Sequence, residues 1–396
     1  MLFTKRERAM ENSAALGSGP NHLPWLDGLR GLAALWVLLS HLLILTGGHY
    51  IPLLSWGDLA VDLFMLLSGF LMAHNYIARQ HKEPWQSSRT TYQFWLRRFF
   101  RIAPLYYPVL LVALTVGPEL GHFRHEIAQV WPSTGTAPSR YSDQGIDNAL
   151  MHFSFLFSFV PHYAFRTALP DWSIGLEMQF YLFFPLIMVA FARLSPVIAT
   201  GLLVGLCLFI RMFFRDFINA FPMPAFLSIK LYVFLIGIWV AHARAERSML
   251  PGLLVGIMLA MCWLLLERSP VAVARILLVA GMFYLMNNGT LPASKAVASM
   301  TIRLRQALSC RLAMFMGETS YSVYLTHLLI AIPLAGLCAR HASFVGLHFA
   351  VRLGIVAIVV IPASYALGWM LYNLVEKPGI QLGRQVMARL GSRLTA

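Results

Sequence analysis

The fold is decided by residues 26–41, LDGLRGLAALWVLLSH, an apolar run that holds Arg30 near one end and His41 at the other. Along an α-helix, 11 residues make about three turns and rise by roughly 16 Å, so both side chains lie on one face. A charged side chain is costly against lipid, and this face must therefore contact protein or water. The run predicts a membrane helix that carries functional groups into a bundle.

The whole chain has the composition of a polytopic membrane protein. Of its 396 residues, 58% are hydrophobic and only 12% are charged, about half the charged fraction of a soluble domain. Stretches of about 17 or more mostly apolar residues predict ten spans, and hence an all-α transmembrane helical bundle. The predicted spans are 28–46, 58–77, 102–117, 172–192, 196–214, 225–241, 250–266, 270–286, 313–337 and 347–373.

A further apolar run, residues 148–160, is short for a span. We interpret it as a re-entrant or interfacial helix, because non-spanning backbone at membrane depth is tolerated where it packs against protein. If this run crossed the membrane, every later segment would be inverted.

The distribution of positive charge predicts the orientation. With the N-terminus in the cytoplasm, the inner segments hold 20 of the 31 Lys and Arg residues, whereas the longest outer loop, 118–147, carries four acidic residues. The positive-inside rule then predicts that both termini are cytoplasmic. We expect a membrane domain at 24–380, a cytoplasmic tail without a signal peptide at 1–23, and a basic cytoplasmic tail at 381–396.

Several functions find no support in the sequence. The net charge of +14 does not predict a nucleic-acid partner, because the basic residues lie in short segments between apolar runs. The four cysteines have no CxxC or other metal-ligand spacing, and no Walker, GxSxG or HExxH motif is present. We therefore expect no metal site and no soluble hydrolase chemistry.

Three carboxylates are predicted to converge with His41 in the outer half of the bundle. Asp58 and Asp62 lie in GDLAVDLFMLLSGF, at the outer end of the second helix, and Glu177 lies in DWSIGLEMQFYLFFP. A carboxylate bonded to one ring nitrogen of His41 would fix its tautomer and make the other nitrogen a better base. A buried histidine–acid pair that only ties helices together is the alternative.

A cationic cluster is predicted at the opposite end. Arg97, Arg98 and Arg101 lie in WLRRFFRIAPLYY, at a depth similar to that of Arg30. Guanidinium groups suit a phosphorylated ligand because they bind phosphate oxygens in a bidentate manner. The alternative is a positive-inside anchor, which we favour for Arg97 and leave open for the other two.

The ninth predicted helix, GETSYSVYLTHLLIAIPL, carries Tyr324 and His327 on a polar stripe. These side chains could line a cavity or simply bond neighbouring backbone. Glu376, in YNLVEKPGI, is expected to form a structural ion pair at the cytoplasmic boundary.

Taken in order, these segments resemble the acyltransferase-3 family of bacterial integral membrane O-acyltransferases. The resemblance extends over about residues 24–380, through "LDGLRGLAALWVLLSH", "GDLAVDLFMLLSGFLM", "RRFFRIAPLYY", "DWSIGLEMQFYLFFPL", "GETSYSVYLTHLLI" and "EKPG". It implies transfer of an acyl group, usually acetyl, from cytoplasmic acyl-CoA to a sugar hydroxyl. Many members carry a fused extracytoplasmic hydrolase-like domain; none fits here, so a stand-alone form is expected.

The resemblance also implies residue roles. Arg30 and His41 match the family's first-helix Arg and His, Arg98 and Arg101 match its Arg-x-x-Arg, and Glu177 matches the acid of its Trp-Ser-x-x-x-Glu segment. The expected roles are catalysis by His41, with Glu177 or Asp62 orienting it; donor binding by Arg30, Arg98, Arg101 and Ser68; and acceptor binding by His327, Tyr324 and Trp172.

The implied partners are a carbohydrate acceptor (an envelope polysaccharide, a lipid-linked sugar or a glycoside) and the lipids of the bacterial inner membrane. Acyl-CoA, with acetyl-CoA expected, is the co-substrate. Direct transfer and an acyl-His41 intermediate both stay open, as do the acceptor and the oligomeric state. The alternative function is a transporter or flippase that uses Arg30, His41, Glu177 and His327 as a path, although the chain lacks the internal repeats of such proteins.

Overall fold

The computed structural model describes residues 23–81, 83–85, 87–267, 271–287 and 289–393, and every regular element in these ranges is helical. The helices are α1 (Pro24–Leu45), α2 (Gly57–Arg79), α3 (Ser88–Val130), α4 (Ser139–Ser142), α5 (Ile146–Phe153), α6 (Trp172–Arg193), α7 (Pro196–Phe213), α8 (Arg215–Asn219), α9 (Leu227–Ala245), α10 (Met249–Glu267), α11 (Val271–Met286), α12 (Lys295–Leu308), α13 (Arg311–Glu318), α14 (Ser320–Ala339), α15 (Ala342–Val345), α16 (Phe349–Leu371) and α17 (Lys377–Arg393). Short 3₁₀ turns lie at Pro132–Thr134 and Leu156–Phe159, and a π-helical segment at Tyr372–Glu376 joins α16 to α17.

The polytopic helical bundle predicted from composition is confirmed. Within the described ranges, eight helical stretches are long and apolar enough to cross a membrane. Seven of these stretches are α1, α2, α3, α6, α7, α9 and α14, and the eighth runs from α16 into α17. The shorter apolar helices α10 and α11 coincide with the predicted spans 250–266 and 270–286.

The helices alternate in direction, so that the bundle has two functional ends. Lys230 near the start of α9 and Arg275 near the start of α11 both contact Asp62 near the start of α2, and these three helices therefore run in parallel. Since α1 runs opposite to α2, Arg30 and His41 mark opposite ends of the bundle. We call these the Arg30 end and the His41 end. The first helix, α1, begins at the Arg30 end, and the last helix, α17, also lies at that end.

Helix α3 is longer than the predicted third span at both ends. Its 43 residues correspond to about 65 Å, roughly twice the thickness of a bilayer's hydrocarbon core. Pro104, Pro108 and Pro118 lie inside it without ending it, since the neighbouring helices of a membrane bundle re-satisfy the freed carbonyls. The prediction that 118–147 is entirely a loop is therefore wrong for residues 118–130. The extension also places Arg98 and Arg101 within a helix.

The apolar run at 148–160 does not cross the bundle as a single helix. Helix α5 ends at Phe153, Phe155 has a left-handed φ of 59°, and a 3₁₀ turn follows. Eight residues of helix rise only about 12 Å. This segment instead packs over the His41 end, in line with the prediction that it does not span.

Two predicted boundaries differ from the structure. The single predicted span 313–337 is divided at Thr319 into α13 and α14. Residues 381–393 of the predicted tail belong to α17, whose Gly383 lies against Phe100 of α3. The predicted N-terminal tail, apart from residue 23, and residues 394–396 lie outside the described residues.

Helices α2 and α9 approach closely because each has a glycine at the contact. A Cβ atom on Gly237 would lie 2.1 Å from the Leu66 carbonyl oxygen, and one on Gly69 would lie 2.2 Å from that of Phe234. Both distances are far below van der Waals contact, so only glycine permits this packing. The close approach positions Ser68, which neighbours Gly69, at the centre of the bundle.

Gly237→Ala is expected to destabilise the protein by about 1–3 kcal/mol, because the added methyl group would clash with backbone that cannot rotate away. The matched control is Gly205→Ala in α7, where an added Cβ meets nothing within 4 Å. Thermal unfolding of both variants in detergent checks this: the first should unfold at lower temperature than wild type and the second should not. Equal unfolding temperatures for the two variants would contradict the close packing of α2 and α9.

Candidate active site

A polar cavity lies among α1, α2, α3, α6 and α14 in the middle of the bundle. The charged and hydroxyl side chains that line it include seven of the residues discussed below: Arg30, Ser68, Arg98, Arg101, Glu177, Tyr181 and Tyr324. Apolar side chains such as Phe64 and Met65 complete its wall. Six of the predicted site residues, from five separate sequence motifs, are thus brought together: Arg30, Ser68, Arg98, Arg101, Glu177 and Tyr324.

Glu177 is held inside this cavity by two hydroxyl groups. The Ser68 hydroxyl donates a hydrogen bond to Glu177 Oε1 at 2.8 Å, and the Tyr181 hydroxyl donates to the same oxygen. Tyr181 follows Glu177 by one helical turn, so both side chains lie on the same face of α6. The carboxylate is therefore fixed by neighbours on α2 and α6.

The arginines of this cavity differ in their pairing. Arg101 forms an ion pair with Glu376, the Nη1–Oε1 distance being 2.8 Å, and Glu376 is 1% exposed. The ion pair expected for Glu376 is therefore present. Arg98 instead lies over the rings of Phe94 and Tyr181, its Cζ atom being 5.8 and 5.7 Å from their centroids.

Arg30 and Arg98 leave a surplus of positive charge in the cavity. In the part of the chain that the structure describes, neither guanidinium has a carboxylate within 4 Å. The Nε atom of Arg98 is also buried without a hydrogen-bond partner. Unpaired guanidinium groups in a water-poor site favour binding of an anion.

A second pocket opens at the Arg30 end and is continuous with the first. The two pockets share Met72, Arg98 and Arg101, which therefore stand at their junction. The second pocket adds three basic side chains, Arg79, Arg97 and Arg384, and four aromatic ones, Tyr76, Trp85, Phe94 and Phe100. Arg97 forms an ion pair with Glu83 at 2.8 Å.

His41 pairs with a second histidine. Its Nδ1 atom lies 2.9 Å from Nε2 of His327, and the Nδ1 atom of His327 lies 2.8 Å from the Tyr324 carbonyl oxygen and 3.1 Å from that of Val323. A carbonyl only accepts, so His327 must carry its proton on Nδ1 and offer a lone pair at Nε2. Neutral His41 then donates from Nδ1, which leaves its Nε2 atom with a free lone pair.

The expected contact between His41 and a carboxylate is absent from the described residues. Asp62 is 2% exposed and binds Lys230 at 2.9 Å and Arg275 at 2.6 Å, whereas Glu177 is bound by Ser68 and Tyr181. The physical reason is that two cations on α9 and α11 neutralise Asp62. His327 occupies the place beside His41 that a carboxylate was predicted to fill.

Tyr324 lies between the cavity and the histidine pair. The Tyr324 hydroxyl is within 2.7 Å of Ser173 Oγ and donates to the Pro170 carbonyl at 3.0 Å, and its ring centroid is 6.2 Å from that of His327. Trp172 is 6% exposed and packs in the apolar core beside it. The polar cavity therefore ends at Tyr324, one helical turn before His327.

Sequence reasoning missed Tyr181, Lys230 and Arg275. The last two were detectable, because each is an ionisable residue inside a predicted span and such residues are functional or paired by default. Tyr181 carried a weaker signal, namely its spacing of four residues from Glu177.

Asp62→Asn is expected to lower the stability of the protein by about 3–5 kcal/mol, because Lys230 would lose its ion-pair partner. Arg275 would keep Asp58, 3.3 Å away, but would lose the closer contact with Asp62. Adding Lys230→Met should recover part of this loss by removing one of the two cations. Thermal unfolding in detergent measures both effects, with Asp216→Asn on the exposed face of α8 as the matched control. An unchanged unfolding temperature for Asp62→Asn would contradict a structural role for Asp62.

Known proteins resemble this chain over most of its length. A family model described as "Acyltransferase domain", of the acyltransferase-3 family, matches residues 23–369. "Acyltransferase MdmB" of Streptomyces mycarofaciens is 26% identical over 388 residues, which cover 91% of this chain and 92% of that protein. No solved structure shows a significant match.

Two further relatives are longer proteins. "O-acetyltransferase OatA" of Staphylococcus aureus is 25% identical over 327 residues, covering 78% of this chain and 50% of that protein. "Peptidoglycan O-acetyltransferase OatA" of Listeria monocytogenes is 27% identical over 194 residues, covering 47% of this chain and 27% of that protein. The match to these two relatives thus spans half of their length or less. With the family match extending from α1 through most of α16, the chain belongs to the acyltransferase-3 family of integral membrane acyltransferases.

Proposed function

We propose that this protein transfers an acyl group, with acetyl expected, from acyl-CoA to a hydroxyl group of a carbohydrate. The observation that carries the proposal is the junction of the two pockets at Arg98 and Arg101. An aromatic and basic pocket at the Arg30 end suits a phosphorylated nucleotide, and the narrow cavity beyond it suits an extended thioester arm. The family's acyltransferase activity supports the same assignment, whereas the transporter alternative has no support from the relatives.

The donor would bind from the Arg30 end. Guanidinium groups bind phosphate oxygens in a bidentate manner, and Arg98 is the one at the junction without a carboxylate partner in the described part of the chain. Arg101, held in place by Glu376, contributes a fixed charge beside it. Arg30 lines the same cavity nearer the Arg30 end, where its charge would contact the polar arm of the donor while the thioester extends toward His41. Ser68 lines the same path.

His41 would act as the general base through Nε2. The acceptor hydroxyl gives its proton to this atom, its oxygen attacks the thioester carbonyl carbon, and the carbon–sulfur bond breaks. The proton then passes from His41 to the departing thiolate, which restores the neutral imidazole. An acyl-His41 intermediate would require the same free Nε2 lone pair, so the tautomer argument supports both routes.

The remaining site residues are assigned positioning roles. His327 fixes the tautomer of His41, which was the role expected of a carboxylate. Glu177 holds the Tyr181 ring, and that ring lies against the Arg98 guanidinium. Tyr324 and Trp172 lie where the acyl group would pass from the cavity to the acceptor.

The membrane and the orientation complete the proposal. Both ends of the described chain lie at the Arg30 end, and the positive-inside rule assigns that end to the cytoplasm of a bacterial inner membrane. Acyl-CoA would then be drawn from the cytoplasm, and the carbohydrate would approach from the His41 end. The name of the Listeria relative, a peptidoglycan O-acetyltransferase, supports a carbohydrate acceptor.

Arg98→Gln is expected to weaken acyl-CoA binding by about 10- to 100-fold, the effect of losing one charge-assisted hydrogen bond to phosphate. Titration of purified protein in nanodiscs with acetyl-CoA measures the dissociation constant. Arg303→Gln, which removes an exposed charge at the same end, is the matched control and should bind normally. An unchanged dissociation constant for Arg98→Gln would contradict a role in donor binding and would favour the alternative, a positive-inside anchor.

His41→Ala is expected to lower turnover of acetyl-CoA by about 10²- to 10⁴-fold without weakening donor binding, because only proton transfer is removed. His327→Phe should lower turnover as well, since His41 Nδ1 would lose its acceptor and the tautomer would no longer be fixed. Release of free thiol measures turnover, and His122→Ala on the exposed face of α3 is the control. Full activity in His327→Phe would contradict its positioning role, and failure of wild type to consume any acyl-CoA would refute the proposed function.

A further inference from the structure

The segment between α3 and α6 forms a cap over the His41 end. Leu38 and Leu42 of α1 belong to the same buried cluster as Tyr141 and Ala168 of the cap. Helix α4 can approach α3 closely because Gly117 faces it there: a Cβ at Gly117 would lie 2.6 Å from the Tyr141 carbonyl oxygen. The cap therefore lies directly beside the histidine pair, which the same cluster flanks through Leu328.

Two buried arginines lie inside this cap. Arg124 on α3 and Arg140 on α4 are each 8% exposed. Arg124 donates one hydrogen bond, from Nη2 to the Thr134 carbonyl at 2.6 Å, while its Nε and Nη1 atoms are buried without a partner. Arg140 donates from Nε to the Thr167 carbonyl at 3.2 Å.

A third arginine at this end, Arg352, has a structural role and provides a comparison for the hydrogen bonding of the other two. Arg352, also 8% exposed, donates from all three nitrogens to four carbonyl oxygens at 2.8 to 3.1 Å. Buried polar groups are normally satisfied in this way, and an unsatisfied one is costly. By this standard Arg124 is incomplete, because only its Nη2 atom reaches a carbonyl oxygen and the Tyr141 hydroxyl is its other polar neighbour.

The charge of the two cap arginines is also unbalanced. In the described ranges, no carboxylate lies within 4 Å of either guanidinium, and both interact electrostatically with His41. Asp171 attracts Arg140 from beyond 4 Å, so its single charge offsets at most one of the two guanidinium groups. Burying two like charges together is unfavourable unless an anion joins them.

We propose that the carbohydrate acceptor carries an oxyanion, a carboxylate or a phosphate, which Arg124 and Arg140 bind beside His41. This inference rests on the proposed function and names the substrate class of the same site. A planar guanidinium fork is suited to both oxyanions. The anionic group anchors the sugar, so that a neighbouring hydroxyl faces His41 Nε2.

Other polar atoms of the cap support a sugar-binding surface. The hydroxyl oxygens of Tyr141 and Thr136 and the amide oxygen of Asn148 are buried there without a hydrogen-bond partner. Hydroxyl and amide groups are the usual partners of sugar hydroxyls, since they can accept and donate hydrogen bonds. Of these groups, Tyr141 lies beside both arginines.

The test compares matched probes for binding to the full chain in nanodiscs. Methyl glucuronide carries a carboxylate, glucose 1-phosphate carries a phosphate, and methyl glucoside is neutral. We expect one or both anionic probes to bind more tightly than the glucoside, with Arg124→Gln and Arg140→Gln each weakening that binding by about 10- to 100-fold. Which anionic probe binds more tightly identifies the oxyanion. Equal binding of anionic and neutral probes, or no binding of either anion, would overturn the inference.

Further variants separate binding from folding. Arg340→Gln removes a half-exposed charge at the same end, where Arg340 pairs with Glu126, and should leave probe binding unchanged. Arg124→Lys keeps the charge but loses the bidentate fork, so it should fold and bind the anion with intermediate affinity. Probe binding that is as strong in Arg124→Lys and Arg124→Gln as in wild type would overturn the inference. Acetyl-CoA binding is measured on the same samples: its absence in wild type refutes the proposed function, whereas its retention without anion preference refutes this inference alone.

Discussion

The cost of an uncompensated charge inside a membrane governs the arrangement of this bundle. Most ionisable groups at depth meet that cost by pairing: Asp62 with Lys230 and Arg275, and Arg101 with Glu376. Such pairs tie α2 to α9 and α11, and α3 to the segment after α16. Arg352 lacks a carboxylate but is satisfied by four carbonyl oxygens, and we interpret the other arginines that lack a carboxylate as places where a ligand would complete the charge balance. They lie at both ends of the bundle, with the histidine pair beside those at the His41 end.

The histidine pair depends on backbone rather than on a second charge. Carbonyl oxygens of α14 determine the proton position on His327, and His327 in turn determines that of His41. A carboxylate in the same place would stabilise the imidazolium form as well as the tautomer. A neutral partner fixes the tautomer without adding that stabilisation. The position of the His41 lone pair is thereby fixed without a negative charge beside the ring.

Much of the bundle could be predicted from the sequence, and the limits have physical causes. Hydropathy located the spans, and helical periodicity placed Arg30 and His41 on one face. The contact between His41 and His327 joins residues 286 apart, and no local pattern encodes it. The general preference of histidine for carboxylates therefore pointed to Asp62. In the structure, Asp62 is instead paired with Lys230 of α9 and Arg275 of α11. The predicted third span stopped at residue 117, just before Pro118, whereas α3 continues through this proline to Val130.

The Tyr324 side chain separates the polar cavity from the histidine pair. The Tyr324 ring lines the far side of the polar cavity that opens toward the Arg30 end. Its hydroxyl bonds the Pro170 carbonyl just before α6 and Ser173 in the first turn of α6. A protein with polar openings at both ends would dissipate the ion gradients of its membrane if water filled it throughout. Under the proposed function, this bonded ring would let an acyl group on an extended arm reach the acceptor without a continuous path of water across the membrane.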